Sequence, residues 1–211
     1  MKRFQVITEA DARVLEYGST VTLVAGGQIT PLAQDTLSER RVAVVREGAV
    51  DIDVAALAPR AEVKTLALAS DHTGVALKSA IRTHLRRRGV AVHDLGTDTT
   101  DPVDYPDVAA SVARRVARGE ADAGIVIDGA GLGSAIAANK LRGVRAAMCL
   151  NTTLARYARQ HNGANVLALG ATLVTQAEAF DIVDVFVDTP MREARYIRRL
   201  AKIKELETRG E

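Results

Sequence analysis

The sequence lacks several features that would place it in a specialised class of protein. Of its 211 residues none is tryptophan, 3% are aromatic, and a single one, Cys149, is cysteine. One cysteine excludes an intramolecular disulfide framework and a cysteine-ligated zinc site. No apolar run approaches the roughly 20 residues of a membrane helix, and the N-terminus has no apolar core of a secretory signal. We therefore expect a cytoplasmic protein that does not bind membranes.

The charge of the chain is nearly balanced. Lysine and arginine number 28 and aspartate and glutamate 26, so the formal net charge of +2 does not indicate a nucleic-acid partner. The hydrophobic fraction of 47% supports a sizeable core, which Ala, Val, Leu and Ile must build. The length fits one domain with a small appendage.

From Thr65 onward, short apolar runs alternate with longer amphipathic stretches. The apolar runs are TLALAS, VAVHDLG, AGIVID, GVRAAMCL and NVLALG, and helical patterns such as TGVALKSAIRTHLRRRG and PDVAASVARRVARG lie between them. This alternation is typical of βαβ units. It predicts an α/β fold over residues 61–211: a Rossmann-like three-layer domain with a parallel sheet of about five strands, ending in a basic amphipathic helix over 191–211.

Residues 1–60 have a different pattern and predict a small N-terminal α/β module. VTLVAG and RVAVVREGAV read as strands, and Thr30 followed by Pro31 predicts the start of a helix between them. Thr8 with Asp11 predicts the start of a second short helix, and VAALAPRAEVK resembles a connector.

The stretch GIVIDGAGLGSAIAANK, Gly124 to Lys140, runs from an apolar segment into glycines and then into helix-forming residues. Ligands of parallel sheets bind beyond the carboxyl ends of the strands. We expect three segments to converge at that edge: ASDHTG, IDGAGLGS and HNGANVL. Their polar, ionisable and glycine residues together predict a binding site there.

The glycine loop does not match the known nucleotide-binding fingerprints. Gly129 and Gly131 supply G-x-G, but Ser134 stands at the third glycine position and no acidic residue follows at the expected distance. The loop also lacks the lysine of a P-loop. NAD(P) binding is therefore disfavoured, and two interpretations stay open: a loop whose N–H groups bind an anion, or a tight turn without a ligand.

The segments ASDHTGVALK, DYPDVA, GIVIDGAGLGSAIAANK, GVRAAMC, ARQHNGANVLALGA and REARYIRR resemble, in order and spacing, the family of ribose 5-phosphate isomerase B and galactose 6-phosphate isomerase. The resemblance runs from Leu66 to about Lys204. It implies a Rossmann-like domain, a homodimer or tetramer with active sites shared between subunits, and isomerisation of a phosphorylated sugar in carbohydrate metabolism, such as the pentose phosphate reactions. It implies no metal and no cofactor.

Asp128 stands where many members of this family have a catalytic cysteine that acts as base. A carboxylate can remove a proton next to a carbonyl, as the glutamate of triosephosphate isomerase does. Some galactose 6-phosphate isomerase subunits also have an aspartate here and work only with a partner chain. Another branch of the family lacks the cysteine and uses a glutamate just after the loop instead. This chain has Ser134 at that position, so it cannot use the same replacement. Asp128 is therefore a candidate base, a loop-capping residue, or the mark of a site that has lost its chemistry.

The backbone amides from Gly129 to Gly133 are the candidates for binding the enediolate oxygen. Gly129, Gly131 and Gly133 let the backbone approach the substrate, and Ala130 and Ser134 complete the loop. The family usually has threonine or serine where this chain has Ala130, so one hydroxyl donor is missing.

The resemblance assigns other roles to polar residues outside the loop. His161 matches the histidine of ring opening, with Asn162 beside it as a sugar ligand; the alternative is a surface histidine at a helix end. Asp71 and His72 match the substrate-contacting pair after the first strand, although Asp71 is also a candidate helix cap. Tyr105 is a candidate for lining the pocket.

Arg195 and Arg199 are four residues apart, so a helix projects both from one face. The matching helix of the family uses its arginines to bind phosphate, often across the dimer, whereas a basic helix face by itself is usually only solvated. Thr172 and Tyr196 stand where the family has an arginine and a histidine, which indicates an altered phosphate site.

The sequence is compatible with two functions. One is an active sugar-phosphate isomerase, and the other is a catalytically reduced subunit or sugar-phosphate-binding module that needs a paralogous chain. Residues 1–60 lie outside the resemblance and faintly resemble short modules of bacterial microcompartment proteins. A docking segment for such a compartment and a structural cover over the dimer are the alternatives for this module.

Overall fold

The computed structural model describes residues 2–47 and 57–209. The chain divides into two compact units, Met1–Ile52 and Asp53–Glu211, and the boundary that we predicted at residue 60 is later than this division. Parts of three predicted elements lie outside the described residues: 48–50 of the strand RVAVVREGAV, 54–56 of the connector, and 210–211 of the C-terminal helix.

The N-terminal unit is a small α/β module, as predicted. Its elements are β1 (Arg3–Ile7), α1 (Glu9–Arg13), β2 (Thr20–Ile29), α2 (Pro31–Glu39) and β3 (Ala43–Arg46). The three strands form a parallel sheet in the order β1-β2-β3. Thr8 and Asp11 form the reciprocal capping box of α1, and the Thr30 hydroxyl caps α2 with Pro31 at its first position, so both predicted helix starts are confirmed.

The second unit contains five strands and six helices among its described residues. They are β4 (Thr65–Ser70), α3 (Val75–Arg87), β5 (Ala91–Asp94), α4 (Tyr105–Ala117), β6 (Ala123–Asp128), α5 (Leu132–Ala138), β7 (Ala146–Met148), α6 (Thr152–Asn162), β8 (Val166–Gly170), α7 (Gln176–Asp188) and α8 (Ala194–Arg209). The sheet is parallel throughout, in the order β5-β4-β6-β8-β7. The predicted five-stranded, three-layer fold is confirmed.

Alternation of large and small residues along the central strands determines which helices cover each face of this sheet. The larger side chains of β4, β6 and β8 pack against α3, α6 and α7; they include Leu66, Leu68, Ile125, Ile127 and Leu167. The smaller side chains on the opposite face pack against α4 and α5; they include Ala67, Ala69 and Ala168. Successive residues of a strand point to opposite faces, so each helix layer has its own core.

Lys78 is a buried charge on the inner side of α3. Its side chain is 1% exposed, and its Nζ donates to Asp94 Oδ1 at 2.6 Å and to Asp98 Oδ1 at 2.8 Å. Arg82 Nη1 donates to the other oxygen of Asp94 at 2.6 Å. Burial by itself would raise the pKa of Asp94, but the bonds from Lys78, the Gly96 N–H and Arg82 outweigh it and lower this pKa. These bonds fix the segment that follows β5.

Replacing Lys78 by methionine is expected to lower the free energy of unfolding by about 2–4 kcal/mol, because it leaves the mostly buried Asp94 carboxylate with less compensation. Arg82→Met is the control; its side chain is 31% exposed, and about 1 kcal/mol or less is expected. Chemical denaturation measures both. Since the pKa of Asp94 is lowered in the folded state, the difference between wild type and Lys78→Met should shrink as the pH falls below about 4. Equal losses in the two variants would contradict this assignment.

Candidate active site

The carboxyl ends of β4 and β6 lie side by side at one edge of the sheet. Ser70 of β4 pairs with Ile127 of β6, and Asp71 and Asp128 are the residues that come directly after this pair. The Asp71 N–H donates to the Ile127 carbonyl at 2.9 Å, which joins the loop after β4 to the end of β6. Two of the three predicted segments, ASDHTG and IDGAGLGS, therefore meet at this edge.

The Asp128 carboxylate is held by the backbone of its own loop. Its Oδ1 accepts hydrogen bonds from the N–H groups of Ala130, at 2.8 Å, and Gly131. Its Oδ2 accepts one from the N–H of Ser134 at 2.9 Å, and the residue is 5% exposed. The loop thus folds around a carboxylate that belongs to the protein, and Oδ2 keeps one lone pair.

This arrangement changes the expectation that the amides from Gly129 to Gly133 bind a substrate oxygen. The Ala130 and Gly131 amides are already engaged by Asp128. Within the described parts of the chain, the N–H groups of Leu132 and Gly133 at the start of α5 have no partner, so they remain for an anion. Gly131 has φ +77°, and a Cβ there would lie 2.9 Å from the backbone carbon of Leu169, which explains the need for glycine.

Neighbouring residues hold the loop in place. Thr172 donates its N–H and its hydroxyl to the Gly129 carbonyl, at 3.1 and 2.7 Å. The ring of Tyr105, which is 42% exposed, lies directly on Gly133, where a Cβ would be 2.6 Å from it. Tyr105 therefore covers the loop. Ser134 is fully buried, and its N–H donates to Asp128 Oδ2.

Asp71 and His72 also make bonds within the protein. Asp71 is 6% exposed, and its Oδ1 accepts from the N–H and the hydroxyl of Thr73. It closes a turn before α3, whose N-cap is Gly74, so it is not that helix's cap. His72 Nδ1 accepts from the Val103 N–H at 3.4 Å, which leaves its Nε2 for a ligand.

The segment HNGANVL does not join this edge, contrary to our expectation. It precedes β8, whose first residue Val166 pairs with Gly124 at the start of β6, whereas Asp128 pairs with Gly170 at the end of β8. Gly124 and Asp128 are four residues apart along β6, or roughly 13 Å. A residue that precedes a parallel strand lies at the amino edge of the sheet, so His161 and Asp128 lie at opposite edges.

At the amino edge, His161 is part of an aromatic and cationic stack with the start of α8. Its ring stacks on Tyr157 at 4.5 Å between centroids and lies 4.4 Å from the ring of Tyr196. The Cζ atoms of Arg195 and Arg199 lie 4.6 and 5.6 Å from the centre of the Tyr196 ring. His161 and the arginine pair therefore lie together at this edge, on either side of Tyr196 in the stack. Asn162 is exposed and donates from its side chain to the backbone.

A cavity and the buried Cys149 lie outside both groups of candidate site residues. A cavity of about 280 Å³ opens at the amino edge beside Arg145, Asn165 and Glu207, and none of the predicted site residues lines it. Cys149 is buried, and burial raises the pKa of its thiol to about 11. It is therefore a neutral thiol at neutral pH and does not replace the missing cysteine base.

Lys78 and the contacts of Thr172 and Tyr196 were not predicted from the sequence. Lys78 carried a signal, because it lies three and seven residues before Ile81 and Leu85 and so falls on the apolar face of α3. Thr172 and Tyr196 were visible only as departures from the family. Their contacts with Gly129 and His161 depend on the tertiary structure.

The fold and the loop define a three-layer α/β protein with a buried carboxylate and a glycine loop at the carboxyl edge of its sheet. No described helix is long and apolar enough to span a membrane. The model of the ribose/galactose isomerase family matches residues 66–203, and this chain belongs to that family.

Relatives and solved structures agree with this membership. Ribose-5-phosphate isomerase B of Escherichia coli is 43% identical over 147 residues, which cover 70% of this chain and 99% of the relative. The structure of the Clostridium thermocellum ribose-5-phosphate isomerase B has a TM-score of 0.68 at 46% identity and covers 70% of this chain and 99% of its own. That of Mycoplasma genitalium, with bound ribulose-5-phosphate, has a TM-score of 0.66 at 43% identity and covers 68% and 95%. The family model does not extend into the N-terminal unit, Met1–Ile52.

Proposed function

We propose that this chain catalyses aldose–ketose isomerisation of a phosphorylated sugar of the ribose 5-phosphate and ribulose 5-phosphate type, without a metal ion. The observation that carries the proposal is the Asp128 carboxylate, held at the head of the glycine loop with a lone pair of Oδ2 left open. Family membership and the ribulose-5-phosphate bound to the Mycoplasma genitalium relative support this substrate class.

In the proposed reaction the proton moves between neighbouring carbons. His161 assists opening of the sugar ring by proton transfer, and Asp128 Oδ2 then takes the proton from the carbon next to the carbonyl. The N–H groups of Leu132 and Gly133 stabilise the enediolate oxygen. Asp128 returns the proton to the adjacent carbon, while a hydroxyl proton moves to the former carbonyl oxygen. Substrate and product are therefore isomers, and no external oxidant or reductant is needed.

We further propose that the active protein is a homodimer with shared sites. His161 and the arginines lie at the opposite edge of the sheet from Asp128, so a second copy of the chain has to supply them. Apolar side chains for such an interface are exposed on α5 and α6: Leu132 (58%), Ile136 (63%), Leu154 (44%) and Tyr157 (48%). Arg195 and Arg199 then bind the phosphate of the substrate in the neighbouring site.

One observation favours the second candidate, a catalytically reduced subunit. Amides of the loop bind the protein's own carboxylate, and this carboxylate is almost completely buried. On this alternative the chain binds a sugar phosphate but needs a paralogous subunit for turnover.

An assay of the purified full chain separates the two candidates. Sugar phosphates of four, five and six carbons are supplied, and ketose formation is followed by a coupled reaction. Turnover by wild type supports the isomerase, and its absence supports the reduced subunit. The Asp128→Cys variant is a second criterion for separating the two candidates. A single thiol cannot accept all three N–H bonds that Asp128 accepts, so this replacement frees loop amides for the substrate. We expect wild-type turnover, and an Asp128→Cys variant that stays active; activity only after this replacement would favour the reduced subunit.

A further inference from the structure

Tyr196 occupies the centre of the stack at the amino edge. It is 9% exposed and packs with Met191 and Leu200 in a small apolar cluster, so its ring has little freedom to turn. The ring of Tyr196 lies 4.4 Å from the imidazole of His161, measured between ring centroids. It also contacts the arginine pair, and the Cζ of Arg195 lies 4.6 Å from its centre.

The hydroxyl of Tyr196 adds a directional contact that a phenylalanine could not make. Arg195 Nη2 donates to it at 2.9 Å, while Arg195 Nε donates to Glu193 Oε2 at 2.7 Å. A guanidinium has five N–H donors, so these two bonds orient the group and leave three donors for an anion. The ring face attracts both guanidiniums in addition, because its π-system is electron-rich.

We infer that Tyr196 is a positioning residue that aligns Arg195 for phosphate through its hydroxyl and holds the His161 ring through its aromatic face. The phosphate-binding arginines and the ring-opening histidine are thereby delivered to the substrate as one preorganised group. The inference rests on the proposed function for the role of His161, whereas the part that concerns anion binding does not need turnover. Preorganisation of this kind improves binding by removing the entropy loss of ordering a long side chain.

The test compares Tyr196→Phe with Tyr196→Leu, and uses Tyr17→Phe as the matched control. Tyr17 is 63% exposed and lies in the N-terminal unit. Binding of inorganic phosphate to the full chain is measured by calorimetry. Tyr196→Phe is expected to raise the phosphate Kd about three- to tenfold, as loss of one ordinary hydrogen bond predicts. Tyr17→Phe should leave this Kd unchanged.

Kinetics supply the second readout. In Tyr196→Phe the KM for ribose 5-phosphate should rise by the same factor as the phosphate Kd, with kcat within about twofold of wild type, because the ring still supports His161. Tyr196→Leu should lower kcat as well. A wild-type phosphate Kd in Tyr196→Phe, or no phosphate binding by wild type, overturns the inference even if the protein is an active isomerase. If wild type binds phosphate but turns over no sugar phosphate, the proposed function fails and the phosphate Kd values still decide the role of the hydroxyl.

Discussion

Asp128→Asn is expected to lower kcat by about 10²- to 10⁴-fold, the usual contribution of a general base. Asparagine has nearly the same shape, but its amide cannot accept a proton from carbon. Its NH₂ group also has to face at least one of the loop N–H donors that now bind the carboxylate. We therefore expect a loss of about 1–3 kcal/mol in the free energy of unfolding in addition to the loss of activity. Steady-state kinetics and thermal denaturation measure the two effects.

Asp122→Asn is the matched control for this experiment. Asp122 Oδ2 also accepts backbone N–H bonds, from Lys64 at 3.0 Å and Thr65 at 2.8 Å, but it lies before β6 at the amino edge. The same chemical change should therefore destabilise the fold while kcat stays close to the wild-type value. An Asp128→Asn variant with wild-type kcat would remove the base assignment. The base assignment would also be removed if kcat fell equally in Asp128→Asn and Asp122→Asn, in proportion to their loss of stability.

Mixing two inactive variants is expected to restore activity. On the shared-site proposal, Asp128→Asn and His161→Gln each remove one essential group, so neither homodimer would have an intact site. In a mixed dimer the His161→Gln subunit supplies Asp128 and the Asp128→Asn subunit supplies His161 to the same site. Random pairing at equal amounts gives half mixed dimers with one intact site each, and hence about a quarter of the wild-type activity. Co-expression with two different affinity tags allows the mixed species to be isolated and assayed.

The control for the mixing experiment is Asp128→Asn combined with the double variant Asp128→Asn/His161→Gln. This mixture has no intact carboxylate in any subunit and should remain inactive. If the first mixture also stays inactive although mixed dimers are recovered, the two residues act within one subunit, and the shared-site proposal is wrong.

Much of the fold could be predicted because it depends on local patterns. Apolar runs of six to eight residues and helical periodicity after Thr65 predicted the five parallel strands and their helices. Thr8 and Thr30 marked two helix starts correctly because a capping hydroxyl acts on an N–H three residues away. The strand order β5-β4-β6-β8-β7 depends on packing between distant segments, and it was not predicted.

The fold class, the family and the candidate site residues could be predicted from the sequence, since each depends on residue types at short or matched spacing. Tertiary structure alone decided which of these residues meet. It separated His161 from Asp128 by the length of a strand, because a helix between parallel strands returns to the opposite edge of the sheet. It also turned the loop amides toward Asp128, because a buried carboxylate takes the nearest N–H donors.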